Sequence, residues 1–360
     1  MDTAKKELAG HPRTSSEAKT RRQPQKAAKD IGLRLRASFL NLTLAVILLL
    51  LPASPLCASD WTDKGDFFYP FSPSVDFIQK PAPVIGSSTT YTVREGDTLL
   101  DIARDFDLGF NELRLLYPEQ DPWVLTPGRE LTIPGKWITP NPLHPQRCRI
   151  LINLPEMRLF LFNFSRKLIR TYPVGIGTTN DPTPMGGFAI SERIKNPVWT
   201  VPPGLTEEYQ ITQIPAGENN PLGKYWLGLK GSRSGLHGTN FPWSIGRLAT
   251  HGCIRLYPED ISRIFSLVDY ETQVQIVYRP IKFGTRRNRI FVEVHPDVYD
   301  RIDDLAAHAY RLLQKKALIS RVDMNKLRQA LQQKSGLPVN ISPGAAHRKA
   351  AAVSSPPLPE

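Results

Sequence analysis

The sequence predicts a mainly β protein: a β-sandwich or barrel domain, preceded by a small β-α-α-β unit and followed by a helical extension. Three observations predict it. Residues 150–154, 157–162, 273–277 and 290–294 are short runs rich in aliphatic and aromatic side chains, strand-like in length and composition. Turn formers separate them, as Pro155-Glu156 does the first two, and 33 prolines punctuate a chain that is 41% hydrophobic. Helical spacing is confined to short windows: Leu99, Ile102, Ala103 and Phe106; Ile261, Ile264, Phe265 and Val268; and a stripe of Val298, Ile302, Leu305, Ala306, Ala309 and Leu313. At 360 residues the chain suits about two domains with a sizeable core in the larger.

The N-terminal elements read as an export device. Residues 1–36 carry ten Lys/Arg against four Asp/Glu, a net of +6 and half of the chain's +12. With no basic-aromatic binding module in view, this tail fits a cytoplasmic flank facing anionic lipid rather than a nucleic-acid partner. It runs into an apolar stretch and then into Pro52-Ala53-Ser54-Pro55-Leu56-Cys57-Ala58-Ser59, so residues 37–58 are expected to be a signal peptide or an uncleaved anchor. Leu56 is not the small residue expected before a lipidated cysteine, so Cys57 is not read as a lipid anchor. Everything beyond is expected in the periplasm or cell envelope.

The remaining elements follow in order. Residues 59–88, rich in Pro, Ser and aromatics, read as a linker. Residues 89–134 form the small unit: a strand around Tyr91, a helix starting behind Thr98, a second short helix capped by Asn111 and running to Leu116, and a closing strand at Leu131-Thr132-Ile133. The principal domain spans 147–280, with a proline-led helix from Pro258. Residues 281–334 form the extension, its helical stripe packing in cis, and 335–360 read as a disordered tail.

The chemistry lies in Leu236-His237-Gly238-Thr239 and Ala249-Thr250-His251-Gly252-Cys253-Ile254-Arg255-Leu256. A free thiol ionises near pH 8.5, so a nearby imidazole is needed to generate the attacking thiolate. In an extended segment His251 and Cys253 face the same side, making His251 a helper that polarises the site or holds substrate. The amides of Gly252 and Cys253 are candidates for an oxyanion hole. Arg255 either pairs with a substrate carboxylate or braces the loop. Thr250 and Thr239 are expected to shape the loop, Thr250 on the substrate side. The duller alternatives are a buried structural thiol, or zinc held by His237, His251 and Cys253, for which no fourth ligand at usual spacing is visible. Only Cys148 and Cys253 follow the export segment, too few for a disulfide framework, although a bond between those two stays open; Cys148 reads as a core thiol.

The His and Thr-His-Gly-Cys-Ile-Arg pattern closely resembles the signature of the L,D-transpeptidase family, enzymes that remodel bacterial peptidoglycan. Tyr172-Pro173-Val174-Gly175-Ile176-Gly177, Thr183-Pro184-Met185-Gly186-Gly187-Phe188 and Pro221-Leu222-Gly223-Lys224-Tyr225-Trp226 resemble further segments of that family. The resemblance implies Cys253 as nucleophile and His237 as base, with the other ring nitrogen of His237 held by the Gly238 carbonyl, and it puts Tyr225 near the cleft. It implies no cofactor and no metal. The expected partners are peptidoglycan stem peptides and glycan strands, an anchored envelope protein being a further acceptor. Attack on a tetrapeptide stem would expel D-alanine and leave a thioester for an amine to resolve. The alternatives are a cysteine carboxypeptidase or endopeptidase, and a wall-binding protein without activity. Tyr91-Thr92-Val93-Arg94-Glu95-Gly96-Asp97-Thr98-Leu99 resembles the opening of a LysM module, implying affinity for N-acetylglucosamine-containing glycans, with Tyr117 before Pro118 where that family usually has Asn.

Overall fold

The computed structural model describes residues 69–70, 82–141, 148–202, 204, 206 and 210–344. The basic tail, the export segment with Cys57, the Cys148 side chain and residues 345–360 lie outside them. No helix among the described residues is long and apolar enough to cross a membrane.

The chain is mainly β, as expected. Among the described residues, the largest sheet has nine strands in the order Tyr69–Pro70, Leu168–Pro173, Arg158–Asn163, Cys148–Asn153, Gln273–Val277, Gly186–Lys195, Tyr225–Leu229, Gly235–His237 and Ile254–Arg255. Three strands from 148 to 173 form the expected antiparallel meander. The last pairing, Gly235–His237 with Ile254–Arg255, is parallel and sets His237 beside Arg255.

Alternation along these strands explains the core. Ile150, Ile152, Leu159, Leu161, Val274 and Ile276 point to one face, where they meet Ile261, Ile264 and Phe265 of a helix at Pro258–Leu267. Leu151, Phe160, Phe162 and Val277 point to the other and join the core of the small unit, with Leu99, Ile102, Leu113 and Trp137. Both faces are therefore covered, which is why 150–154 reads as a nearly continuous apolar run instead of an alternating one.

The small unit is the expected β-α-α-β: strand Thr89–Thr92, helix α1 (Leu99–Asp105), helix α2 (Phe110–Leu116) and strand Glu130–Ile133. Thr98 caps α1 by accepting from the Asp101 amide. The cap of α2 differs from expectation. It is Gly109, whose N–H donates to Glu112 Oε2 at 2.9 Å, while Asn111 lies inside the helix and donates to the Glu156 carbonyl. Tyr117 braces the closing strand, its hydroxyl accepting from Thr132 N and donating to Thr132 O.

The sequence treats this unit as free-standing, but the fold fuses it to the large sheet. Arg104 makes a two-pronged ion pair with Glu259 at 3.0 Å, Tyr257 OH donates to the Leu108 carbonyl, and Arg247 lies 3.8 Å over the Phe110 ring. Buried Arg158 ion-pairs with Glu112 beneath them.

Two further boundaries change. Residues 82–86, read as linker, form a strand of a five-stranded sheet with Lys136–Ile138, Ile281–Arg286, Arg289–Val294 and Val339–Asn340. The last of these strands and residues up to 344 belong to the stretch read as tail. Arg287 and Asn288 both have positive φ, as a two-residue hairpin turn demands. Two helices, Leu305–Lys315 and Met324–Gln333, cover this sheet, each capped by an aspartate, Asp304 and Asp323. Val298 and Ile302 of the expected helical stripe precede the first of them. The extension is thus α+β, and it is tied to the large sheet by a buried charge cluster. Lys282 Nζ lies 2.7 Å from both Glu156 and Glu293, and His295 Nε2 lies 2.7 Å from Glu293. Burial pushes both carboxyls up, and the ammonium between them offsets that shift.

Candidate active site

His237 ends the strand Gly235–His237 and is buried. Its Nδ1 lies 2.6 Å from the Gly238 carbonyl oxygen. A carbonyl can only accept, so Nδ1 carries the proton and Nε2 is left with its lone pair. Burial, reinforced by the nearby Arg255 charge, lowers the imidazole to about 3, so the ring is neutral at physiological pH.

Cys253 enters the neighbouring strand. It is a free thiol. Burial pushes the thiol up, while a backbone hydrogen bond from Gly235 and the Arg255 charge oppose that shift. The same guanidinium therefore favours a thiolate and disfavours an imidazolium. Burial thus favours the neutral form of both groups. Alkylation of Cys253 by iodoacetamide is accordingly expected to rise with pH through and beyond ~8.5, the ordinary thiol value. A rate already at its plateau below pH 7 would mean a preformed ion pair and contradict this electrostatic balance.

The segment before Cys253 is not extended. Gly252 has φ +96°, a conformation open to glycine, and a Cβ there would meet Ser234 Oγ at 3.3 Å. The chain turns, and His251 leaves the Cys253 side. Its ring is 60% exposed and sits 3.9 Å from Asp181. The expectation that both side chains share a face is corrected by this turn, and among the described residues His237, His251 and Cys253 do not form a cluster that could hold a metal. Among the described residues, the amides of Gly252 and Cys253 have no protein acceptor. Thr250 is also corrected. It is 3% exposed and its hydroxyl donates to the Cys253 carbonyl at 2.6 Å, so it shapes the turn and is closed to substrate. Thr239 shapes the loop as expected, accepting from the Phe241 amide. Gly238 is tightly enclosed, a Cβ there falling 3.2 Å from Ile261.

Tyr225 is not on the His237 side. Its ring packs at 4.8 Å against Phe265 of the Pro258–Leu267 helix, and successive strand residues face opposite ways. Its neighbour Trp226 takes the place expected for it. The Trp226 indole stacks on the His237 ring, with centroids 5.9 Å apart and planes at 27°. Its Nε1 donates to Glu192 at 2.7 Å, and it lies across Gly235, where any Cβ would fall 2.7 Å from the ring. Sequence reasoning missed Trp226, Glu192 and Gly235, although the period-two alternation around Tyr225 was the signal for the first.

A second group missed from sequence comes from the C-terminal extension. Tyr299 OH donates to the Gly177 carbonyl at 2.8 Å and accepts from the Thr183 amide at 3.3 Å. It thereby clamps the turn that holds Asp181 against His251.

Residues 147–276 match the model of the L,D-transpeptidase catalytic domain, and residues 91–134 match the LysM domain. The chain is 31% identical over 278 residues to "Probable L,D-transpeptidase ErfK/SrfK" of Escherichia coli (strain K12), covering 73% of this chain and 88% of that protein. It is 31% identical over 274 residues to "Probable L,D-transpeptidase YcfS" of the same organism, covering 72% and 85%. With relatives of that identity aligned across most of their length, and with the thiol, imidazole and carbonyl arranged as described, this chain belongs to the L,D-transpeptidase family.

Proposed function

We propose that the protein is an exported peptidoglycan L,D-transpeptidase that works through a Cys253 thioester in the periplasm or cell envelope. The observation that carries the reading is the pairing of Gly235–His237 with Ile254–Arg255, which brings a buried imidazole with a free Nε2 beside a strand entered by the thiol.

The steps follow from these groups. As a stem-peptide carbonyl approaches Cys253, the thiol proton passes to His237 Nε2 while sulfur bonds to carbon. The developing oxyanion meets the N–H groups of Gly252 and Cys253. His237 then gives its proton to the departing amine of D-alanine, and the acyl group remains on sulfur. An incoming amine from a second stem, or from an anchored protein, repeats the sequence in reverse with His237 again as base. Arg255, whose charge acts on both groups, also suits a donor carboxylate. His251, exposed beside Asp181, suits contact with the donor at the cleft's rim.

Mass spectrometry of disaccharide-tetrapeptides incubated with the protein tests this. Crosslinked dimers with loss of one D-alanine are expected. Tripeptides alone would show that water replaces the amine and that the enzyme is a carboxypeptidase, while unchanged substrate would refute catalysis.

A further inference from the structure

The seam between the LysM module and the catalytic domain holds a cleft walled by aromatic rings from both. Trp123 and Phe110 line it from the LysM module and Trp243 and Tyr257 from the catalytic domain, with Asp101 and Arg104 also in its lining. Both indoles are held in water, 63% and 52% exposed, although the modules behind them share one sealed core. Keeping two large apolar rings exposed at a concave junction marks a binding surface.

The walls are fixed. Trp123 is carried by a loop that is tied down at Leu99 N to Pro122 O, at Trp123 N to Asp121 and at Gln120 to the Val124 carbonyl. Trp243 sits in a short helical turn, Pro242–Ser244, closed by Ser244 Oγ on the Phe241 carbonyl. Arg247 joins the two sides, donating to the Trp243 carbonyl at 3.0 Å while lying over Phe110. The distance between the indoles therefore does not depend on a flexible linker.

We infer that this cleft is a composite glycan subsite, in which one sugar ring of the peptidoglycan strand is held by Trp123 of the LysM module and Trp243 of the catalytic domain together. The inference rests on the transpeptidase reading for the identity of the polymer. The chemistry of the cleft selects its sugar component. A pyranose presents apolar C–H faces that fit flat against indoles and a rim of hydroxyls that fit a carboxylate and a guanidinium. A stem peptide, short of rings and rich in carboxylates, has no comparable use for two indoles.

The chain segment that carries Trp243 also leads directly to the acyl-transfer site. The segment bearing Trp243 leaves the strand that ends at His237 and returns through Leu248–Thr250 to Cys253. Gly246 N donates to the Val174 carbonyl, and a Cβ on Gly175 would meet the Ser244 carbonyl at 2.7 Å, so this loop is pressed against the Val174-Gly175 segment that follows Leu168–Pro173. A sugar seated at Trp243 is thus held at a fixed separation from the thiol, and the LysM module becomes part of the enzyme's substrate register instead of a tether.

Isothermal titration of the full chain with an N-acetylglucosamine oligomer, which has no stem peptide, tests the inference apart from catalysis. Binding is expected in the wild type, and Trp123→Ala and Trp243→Ala are each expected to weaken it about tenfold or more, as central tryptophans do. Circular dichroism and thermal unfolding check that both variants remain folded, and Tyr310→Ala on the distant C-terminal helix should bind as wild type. Loss with Trp123→Ala but not with Trp243→Ala would assign the sugar to the LysM module alone and overturn the composite site. No binding by the folded wild type would overturn it as well. The muropeptide assay is read separately, so failure of the transpeptidase reading shows there as unchanged substrate while sugar binding stands or falls by itself.

Discussion

Cys253→Ala is expected to abolish acyl transfer, by about 10⁴-fold or more, while leaving the chain folded. In the proposed mechanism the sulfur is the atom on which the acyl group resides, while His237 is buried with Nδ1 committed to Gly238 and the Thr250 hydroxyl is committed to the Cys253 carbonyl. The cost in stability is small, because the side chain lost is small and its one noted bond is the weak one from Gly235 to sulfur. A carbapenem gives a direct readout, since a strained β-lactam carbonyl acylates a thiolate without needing the natural donor. Intact-protein mass spectrometry should show one added drug mass on the wild type and on Cys148→Ala, and none on Cys253→Ala. His237→Ala should slow the addition, because the thiol, already pushed up by burial, loses the group that accepts its proton. An adduct that survives in Cys253→Ala, or forms equally fast without His237, would contradict the assignment of nucleophile and base.

The legible part of this site is the part encoded as fixed residue types at fixed spacing. His237, Gly238 and Cys253 were readable because the chemistry needs those types. The orientation of His251 was not, since it depends on whether the backbone turns at Gly252, and a glycine permits both an extended and a left-handed conformation. Tyr225 was misjudged by a single residue, which in a strand reverses the face. The two helices and the closing strand of the small unit were readable from local patterning, and its β-α-α-β order from the LysM resemblance. Its fusion to the catalytic sheet was not, because that depends on pairings far apart in sequence, such as Arg104 with Glu259. The same holds for residues 82–86, whose partner strands lie at 136–138 and 281–286. One clue to the fusion was present: a strand with no polar alternation at 150–154 has no solvent face, so something must cover its far side.

Arg158→Ala is expected to destabilise the protein by about 3–5 kcal/mol, the cost of leaving a buried charge without its partner. The guanidinium is fully buried on a strand of the large sheet, ion-paired with Glu112 of α2. It also donates to Thr171 Oγ1 at 2.8 Å and to the Asp107 carbonyl at 3.0 Å, and it lies 4.4 Å over the Trp137 ring. Glu112 in turn accepts from Trp137 Nε1 and from the Gly109 amide that caps α2. Removing the arginine therefore leaves a buried carboxylate at the point where the LysM module meets the sheet, and loosens the cap of one of that module's two helices. Against a total stability of roughly 5–15 kcal/mol, a loss of that size is large. Urea unfolding should show a single transition in the wild type, because the two modules share one core. In Arg158→Ala the midpoint should fall, and hydrogen exchange should accelerate first in residues 89–134. The double variant Arg158→Met with Glu112→Leu should lose less than the sum of its two single substitutions, since it removes both charges together. A loss below about 1 kcal/mol in Arg158→Ala, the level of an exposed ion pair, would mean that water reaches Glu112 and that the LysM module is not sealed against the catalytic sheet.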